Sequence, residues 1–428
     1  MLFALTIALL AQAEPQSLPT HTHHIRENRR LGRAWVGQQF AFFEAFPANG
    51  AGTSGACSTT APTGAKGEAL TFTRATTATC TKTAAGGLAT TGIADGDLVV
   101  LSSGQPRVEY DSNGVLGLLV EEARTNSCLQ SEEFDNAAWG TSSSGVAAPT
   151  VTANYATAPD GTMTADRIQV PATTSTQYSY LYQNTGVAAQ AYSSVYLKGT
   201  SGSGSINLIS GATPNACTSC SYNSSTWTRC TLATSGSHNY VFIGNDSAST
   251  VCTTSSKSAA DVLAWGFQHE AGAFVTSYIP TTSATITRNA DNPATFPPDL
   301  SSLAATGSTA ISVTPAATSF TAGALVYFAG SGRPMYVATT TARIYDGTTD
   351  LTLNHQFLAG VTKRYWSSWT GSTLTITNVT DATSNTGAFD GSMATTGPLA
   401  IGVSSGIGVS ASWIVSRVCL DPDPTRCR

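Results

Sequence analysis

Ala310-Ile311-Ser312-Val313, Leu325-Val326-Tyr327-Phe328, Met335-Tyr336-Val337 and Ala342-Arg343-Ile344-Tyr345 follow one another in quick succession, and the last runs into the Asp346-Gly347 turn. Each run is short and rich in β-branched or aromatic residues, and each is bounded by Gly, Ser, Thr or Pro. Those are the marks of strands, because an amphipathic helix needs a longer 3.6-residue period. Toward the C-terminus the pattern continues through Leu351-Thr352-Leu353, Thr373-Leu374-Thr375-Ile376-Thr377, Leu399-Ala400-Ile401 and Trp413 to Cys419. Toward the N-terminus it recurs in Leu70 to Thr73, Asp97 to Ser102 and Tyr192 to Lys198, where Val195 and Leu197 alternate with Tyr196 and Lys198. Tyr240-Val241-Phe242-Ile243 stops at the turn signal Gly244-Asn245-Asp246, and Val262 to Phe267 reads as a buried strand. Short strands about a dozen residues apart, without intervening helices, predict an all-β chain of antiparallel sandwiches and exclude βαβ folds and helical repeats. No repeat of fixed period is present.

Charge narrows the function classes. The 428 residues hold 21 Lys+Arg and 26 Asp+Glu, a net charge of −5, and only 11% of them are charged. A soluble domain ordinarily carries about 25%. No positive excess exists to neutralise phosphates, so a nucleic-acid partner is excluded. Ser, Thr, Ala and Gly fill the outward strand positions instead.

Residues 1–13 (MLFALTIALLAQA) end in a small-x-small site and read as a signal peptide, too short to span a bilayer, which takes about 20 residues. No other run predicts a transmembrane span. Residues 14–66 form a linker or anchor. Within it Arg26, Arg29, Arg30 and Arg33 precede Trp35, Phe40, Phe42, Phe43 and Phe46. That stretch is either an amphipathic helix toward a partner or a linker packed on the first domain, and His21, His23 and His24 read as a solvated tail. Nine cysteines fit export better than buried thiols in a reducing compartment. Short-range pairing predicts Cys57–Cys80, Cys230–Cys252 and Cys419–Cys427, with Cys217–Cys220 as a fourth bridge and Cys128 left over, although spacing alone does not fix connectivity. Cys217-x-x-Cys220 lacks the second pair of a zinc site.

Pro106 to Tyr110 and Leu116 to Asn126 (LGLLVEEARTN) resemble a signature of phage tail-fibre and head-fibre proteins and their secreted bacterial relatives. In the same order follow Ser131 to Trp139, Ala158 to Asp166, Ser194 to Lys198, Trp227-Thr228-Arg229, Trp265 to Glu270, Thr276 to Thr282 and Thr287 to Asp291, so the resemblance covers roughly Leu70 to Asp291. It implies a carbohydrate-binding-module-like jelly roll over 129–292 and, more weakly, a laminin-G/concanavalin-like sandwich over 293–428. Residues 67–128 are then a β-rich module, for which packing on the C-terminal domain is one option. The fold expected is two antiparallel β-sandwich (jelly-roll) domains in tandem behind a mostly irregular N-terminal segment. Two features depart from the family. Cys128 stands where an apolar residue is usual, and extra cysteine pairs are unusual in a virion protein assembled in cytosol. They favour an exported cellular relative or a virus of an unusual host.

Tyr178, Tyr180 and Tyr182 alternate with Ser179 and Leu181, which puts three phenol rings on one strand face. With Tyr192 they are candidates to stack on sugars, or equally to form an intersubunit contact. Trp366 and Trp369 in Tyr365-Trp366-Ser367-Ser368-Trp369 carry the same two readings. Trp139, Trp227 and Trp265 read as core. Asp135, Asp160, Asp166 and Glu270 could supply oxygen ligands to a structural Ca²⁺. The competing reading makes Asp160-Gly161 a turn and pairs Glu270 with Arg124 or Arg288. No cofactor is required by these residues.

Catalysis finds little support. Glycoside hydrolysis needs two carboxylates flanking the bond. Glu121-Glu122 and Glu132-Glu133 are adjacent pairs that a strand turns to opposite faces, and no Glu follows Glu270. Gly402-Val403-Ser404-Ser405-Gly406 matches a serine elbow but is followed by neither a helix nor a His. The resemblance, together with aromatic rows that lack catalytic carboxylates, implies a non-catalytic glycan-binding or adhesion protein of fibre or receptor-binding type, secreted or on a virion surface, with a polysaccharide or cell-surface glycan as partner. The alternatives are a self-assembling structural subunit, homo-oligomer or fibre, and, last, a polysaccharide-active enzyme.

Overall fold

The computed structural model describes residues 71–81, 93–111, 114–187, 189–211, 216–234, 239–249, 251–252, 256–295, 303–315, 323–328, 332–337, 340–395, 399–401, 412–421, 424–425 and 427. The leader at 1–13, the anchor segment at 14–66, Cys57 and the Gly402–Gly406 match lie outside them. The described residues all fall within one compact unit, Phe40–Arg428. Every extended element among them is a strand, as the sequence predicts.

The first sandwich has two five-stranded antiparallel sheets. One runs Ala216–Asn223, Ser203–Ser210, Tyr240–Asp246, Tyr178–Asn184, Gly140–Ser144. The other runs Thr228–Ala233, Ala191–Gly199, Ala260–Ala271, Ala165–Val170, Thr150–Ala156. Alternation explains the core between them. Leu181, Val195, Leu197, Ile206, Leu208, Val241, Ile243 and Phe267 point inward with Phe134 and Trp139, while their strand neighbours point out. Trp139 donates its indole N–H to the Gln130 carbonyl at 3.2 Å. Cys128 is a buried free thiol in the same core. The outer side of the second sheet is covered as well. Tyr196, Trp227, Trp265 and Tyr278 pack there on Ile93 and Leu98, so the predicted core role of Trp227 and Trp265 describes where they lie.

The second sandwich has two seven-stranded antiparallel sheets. One is ordered Thr383–Ala388, Thr373–Asn378, Lys363–Thr370, Gly307–Pro315, Ser412–Asp421, Gly114–Glu121, Arg107–Asp111. The other is ordered Thr71–Thr73, Asn292–Thr295, Leu399–Ile401, Gly323–Phe328, Arg333–Val337, Thr341–Tyr345, Asp350–Asn354. Strands from before the first sandwich thus belong to the second. The chain leaves at Glu121, builds the jelly roll, and returns at Asp291, where the Asp291 N–H donates to the Glu121 carbonyl at 2.9 Å.

That neck is held by charge. Arg107 pairs with both Glu121 and Asp291, Arg74 reaches Asp291 at 2.9 Å, and Arg288 lies 3.4 Å from Glu121, all with fully buried side chains. Ser277 donates its N–H at 2.9 Å and its hydroxyl at 2.6 Å to Glu121. Burial opposes ionisation of Glu121, but Arg288, Arg107 and Ser277 outweigh it and hold the carboxyl far below the usual range. The charged residues of the signature-like segments are therefore the ones that tie the two sandwiches together.

Three bridges are seen among the described residues. Cys419–Cys427 is as expected, but the middle four cysteines pair as Cys217–Cys252 and Cys220–Cys230. The expected Cys217–Cys220 and Cys230–Cys252 pairs fail for a geometric reason. Cys217 and Cys220 are three apart on one strand, so their side chains take opposite faces. Cys220 turns into the core and meets Cys230 on the edge strand of the other sheet, whereas Cys217 turns out and meets Cys252. Cys80 is disulfide-bonded, and the partner expected for it, Cys57, lies outside the described residues. Among the described residues no helix is long and apolar enough to cross a membrane.

Candidate functional site

The outer face of the sheet containing Tyr178–Asn184 carries the candidate site. Antiparallel register puts Tyr178, Tyr180 and Tyr182 opposite Asp246, Gly244 and Phe242 on one side, and opposite Ser144, Ser142 and Gly140 on the other. All three tyrosines are half-buried, while Ser179, Leu181 and Gln183 are buried on the inner face, as the alternation predicts. The sequence did not single out the two rings that complete the face, Tyr240 and Phe242. Their own i, i+2 spacing is the signal that finds them, once their strand is known to lie beside the tyrosine strand.

The rings form one contiguous surface. Tyr178 and Tyr180 stack with centroids 4.9 Å apart and planes 14° from parallel. Phe242 meets Tyr180 edge-on at 4.9 Å and lies 6.1 Å from Tyr182 and 6.2 Å from Tyr240. Stacking uses one face each of Tyr178 and Tyr180, so a row of three open platforms is not what results. Tyr182 is different. Its ring lies across Gly140, where a Cβ would come within 2.7 Å of the ring. The sheet takes one side of that ring, and this half-buried residue keeps its exposure on the other. Gly244 is also required, since a Cβ there would run into the Ser179 carbonyl and the Tyr180 backbone. Burial, with Tyr178 and Asp246 nearby, pushes the Tyr180 phenol up to about 12, so it stays a neutral hydrogen-bonding group.

A wall flanks this floor. After Asp246 the chain turns, with the Asp246 carboxylate accepting from the N–H groups of Ala248 and Ser249 at 2.9 Å each. Cys252 is then pinned to Cys217 and packs with Ile209 and Phe242. Lys257 lies on the short strand Ser256–Lys257, which pairs with Thr173–Thr174, and its ammonium donates to Ser205 at 3.0 Å and Ser219 at 2.8 Å. Lys257 and these serines also went unremarked in the sequence, because nothing in a Ser/Thr-rich chain marks which hydroxyls converge.

The remaining candidates are dispersed. Tyr192 is half-buried on the opposite sheet, paired with Ala233 and Glu270, and does not join the row. Trp369 is wholly buried in the second core and donates to the Leu303 carbonyl at 2.7 Å, so it offers no face to a ligand. Trp366 is buried beneath the Cys419–Cys427 bridge. The four carboxylates proposed for calcium do not converge either. Asp160 caps its own turn through Thr162, as the turn reading has it, and Asp166 accepts from the N–H groups of Phe134 and Asn154. Asp135 is exposed, and Glu270 is buried in bonds to Gln268 and Thr276, not paired with Arg124 or Arg288. Those arginines hold Glu122 and Glu121 respectively. Among the described residues no three His, Cys, Asp or Glu side chains are grouped to hold a metal ion.

Geometry thus defines an all-β, two-sandwich protein with a half-exposed aromatic floor on the outside of its jelly roll. No known protein family matches the chain, and no curated protein matches it in sequence. Among solved structures it is similar to domains LG4-5 of the mouse laminin alpha1 chain at 11% identity, over 55% of this chain and 81% of that one, with a TM-score of 0.22. It is similar to the extracellular region of zebrafish Gpr126/Adgrg6 at 9% identity, over 66% and 35%, with a TM-score of 0.21. It is similar to truncated AlyQ, which has CBM32 and alginate lyase domains, at 11% identity, over 66% and 98%, with a TM-score of 0.20. Likeness at this level carries no argument about function. The bridges among the described cysteines fit an extracellular protein.

Proposed function

We propose that the chain is a non-catalytic glycan-binding or adhesion protein, and that the outer face around Tyr180, Tyr182, Tyr240 and Phe242 is where it binds. The single observation carrying this reading is the contiguous ring surface in which Tyr178, Tyr180, Tyr182 and Tyr240 stay half-exposed around the buried Phe242, with the hydroxyls of Ser142 and Ser144 beside them. An apolar ring beside hydroxyl donors and acceptors matches a pyranose, which has an apolar face and a polar rim. The reading assigns no hydrolysis to this face, where Asp246 caps its own turn. Titration calorimetry against a panel of neutral oligosaccharides tests it. Saturable binding weakened about tenfold or more by Tyr182→Ala supports it, and no binding, or binding indifferent to Tyr182, overturns it.

A structural fibre subunit, of phage-fibre type or from an exported relative, is the second reading. It draws on the edge strand Thr383–Ala388, which is exposed along almost its whole length and carries no charged residue. Such an edge is open to lateral pairing with another copy. Light scattering as a function of concentration separates the two, since a dilute monomer that binds glycan excludes an obligate assembly.

A further inference from the structure

Beside the aromatic floor, on the Ala216–Asn223 and Ser203–Ser210 side of the same sheet, lies a cleft of about 670 Å³. Six serines line it, Ser203, Ser205, Ser219, Ser221, Ser256 and Ser258, together with Lys257. Lys257 is buried, with 8% exposure, and among the described residues it forms no ion pair. The nearby carboxylates are engaged elsewhere. Asp246 accepts from Ala248 and Ser249, and Asp261 is paired with Arg167.

A buried ammonium without a counter-charge is costly unless something supplies one. Burial lowers the Lys257 ammonium from its ordinary value, as a cation lacking an anion should be. The hydroxyls around it are set for an acceptor. Ser205 and Ser219 each accept from Nζ, which leaves their own O–H protons free to donate. An ammonium has three protons and these serines take two, so one remains. The cleft therefore offers a cation and several donors and, among the residues lining it, no carboxylate. Its volume exceeds that of a bare inorganic ion and falls in the range of small-molecule sites, roughly 300–1,000 Å³.

We propose that this cleft is an anion subsite that takes the carboxylate or sulfate group of an acidic saccharide, with Lys257 as the counter-charge and the serine hydroxyls as donors. The saccharide half of this inference rests on the glycan-binding reading of the neighbouring face; the anion half does not.

The test uses the full chain and four probes: a galacturonate trimer, a sulfated galactose trimer, the neutral galactose trimer and inorganic sulfate. Calorimetry is expected to show an acidic trimer binding about tenfold tighter than the neutral one, about 1.4 kcal/mol, with the preference falling as salt rises. Whether uronate or sulfate ester is preferred identifies the source of the anion. Lys257→Met removes the cation, and Ser219→Asp at an exposed position brings an internal carboxylate to it; each should abolish the preference. A preference that is absent, or that survives in both variants, overturns the subsite and leaves the aromatic floor standing. If no saccharide binds, the glycan reading falls along with the saccharide half. Inorganic sulfate then decides the rest: binding that needs Lys257 supports the anion site, and binding that ignores it, or none, overturns it.

Discussion

Glu121 and Asp291 are 170 positions apart, yet the Glu121 N–H donates to the Asp291 carboxylate at 2.9 Å. Between them the chain builds an entire sandwich, so this contact closes the neck of an inserted domain. Arg107 bridges the two carboxylates, with Arg74 and Arg288 alongside. Two anions thus face three cations with no solvent to screen them. Geometry and hydrogen bonding keep such a cluster folded, and removal of one member leaves the others uncompensated.

Asp291→Ala should accordingly cost about 3–5 kcal/mol, because Arg74 would lose its carboxylate and Arg107 one of its two, all of them buried. Equilibrium urea unfolding followed by tryptophan fluorescence measures it. Asp350→Ala is the control: it pairs with Arg343 where both side chains are exposed, and the loss should stay below about 1 kcal/mol. Equal losses at the two sites would mean that the neck contributes no more than a surface pair.

Stability should also depend on pH through Glu132. Its carboxyl is pushed up to about 7, first by burial and then by the negative charges of Asp160 and Glu133, against the hydroxyl that Tyr278 donates at 2.9 Å. Between the ordinary carboxyl value and about 7 the native chain keeps a proton that the unfolded chain has released. Stability therefore falls as pH rises through that window, and partial exposure limits the loss to about 2 kcal/mol. Glu132→Gln should flatten this part of a plot of melting temperature against pH. An unchanged slope in the variant would show that Glu132 is not its source.

The strand alternation that named Tyr178, Tyr180 and Tyr182 was readable because period-2 geometry is local. The same logic, applied within one strand, already forbids the Cys217–Cys220 bridge. What stayed hidden was non-local. Tyr240 and Phe242 become part of the floor only through a pairing more than fifty residues away, and Lys257 meets Ser205 and Ser219 from a strand that pairs with the distant Thr173. Trp366 and Trp369 failed as ligand candidates because an aromatic cluster looks the same in sequence whether it faces solvent or core. The neck charges, Arg107, Glu121 and Asp291, stood in the family-like segments, but nothing in one chain's sequence says that such residues are buried together.

The two middle bridges should separate in effect. Breaking Cys220–Cys230, which links the edges of the two sheets across a 10-residue separation, should cost about 3 kcal/mol by chain entropy. Breaking Cys217–Cys252, with its 35-residue separation, should cost about 4 kcal/mol on the same basis and should also free the backbone at Val251 and Cys252. Paired serine substitutions and denaturant unfolding measure the first effect. Hydrogen exchange at Ser247 to Ser249 and at Val251 and Cys252 measures the second, and unaltered exchange there would show that the bridge does not hold the wall.

Gly140 gives the sharpest separation of binding from folding. Its missing side chain is what allows the Tyr182 ring to lie down on the sheet, since a Cβ would sit 2.7 Å from that ring. Gly140→Val should lift the ring off the floor. The atoms it meets are the far end of a side chain, so the ring can move and the fold should lose no more than about 1 kcal/mol. Affinity for oligosaccharide should nevertheless fall about as far as in Tyr182→Ala. Leu181→Ala, one residue away but facing inward with 1% exposure, should do the reverse: it should destabilise by about 2–5 kcal/mol while any protein that remains folded binds normally. If Gly140→Val binds as tightly as the parent chain, the orientation of the Tyr182 ring is irrelevant and the floor is not the platform.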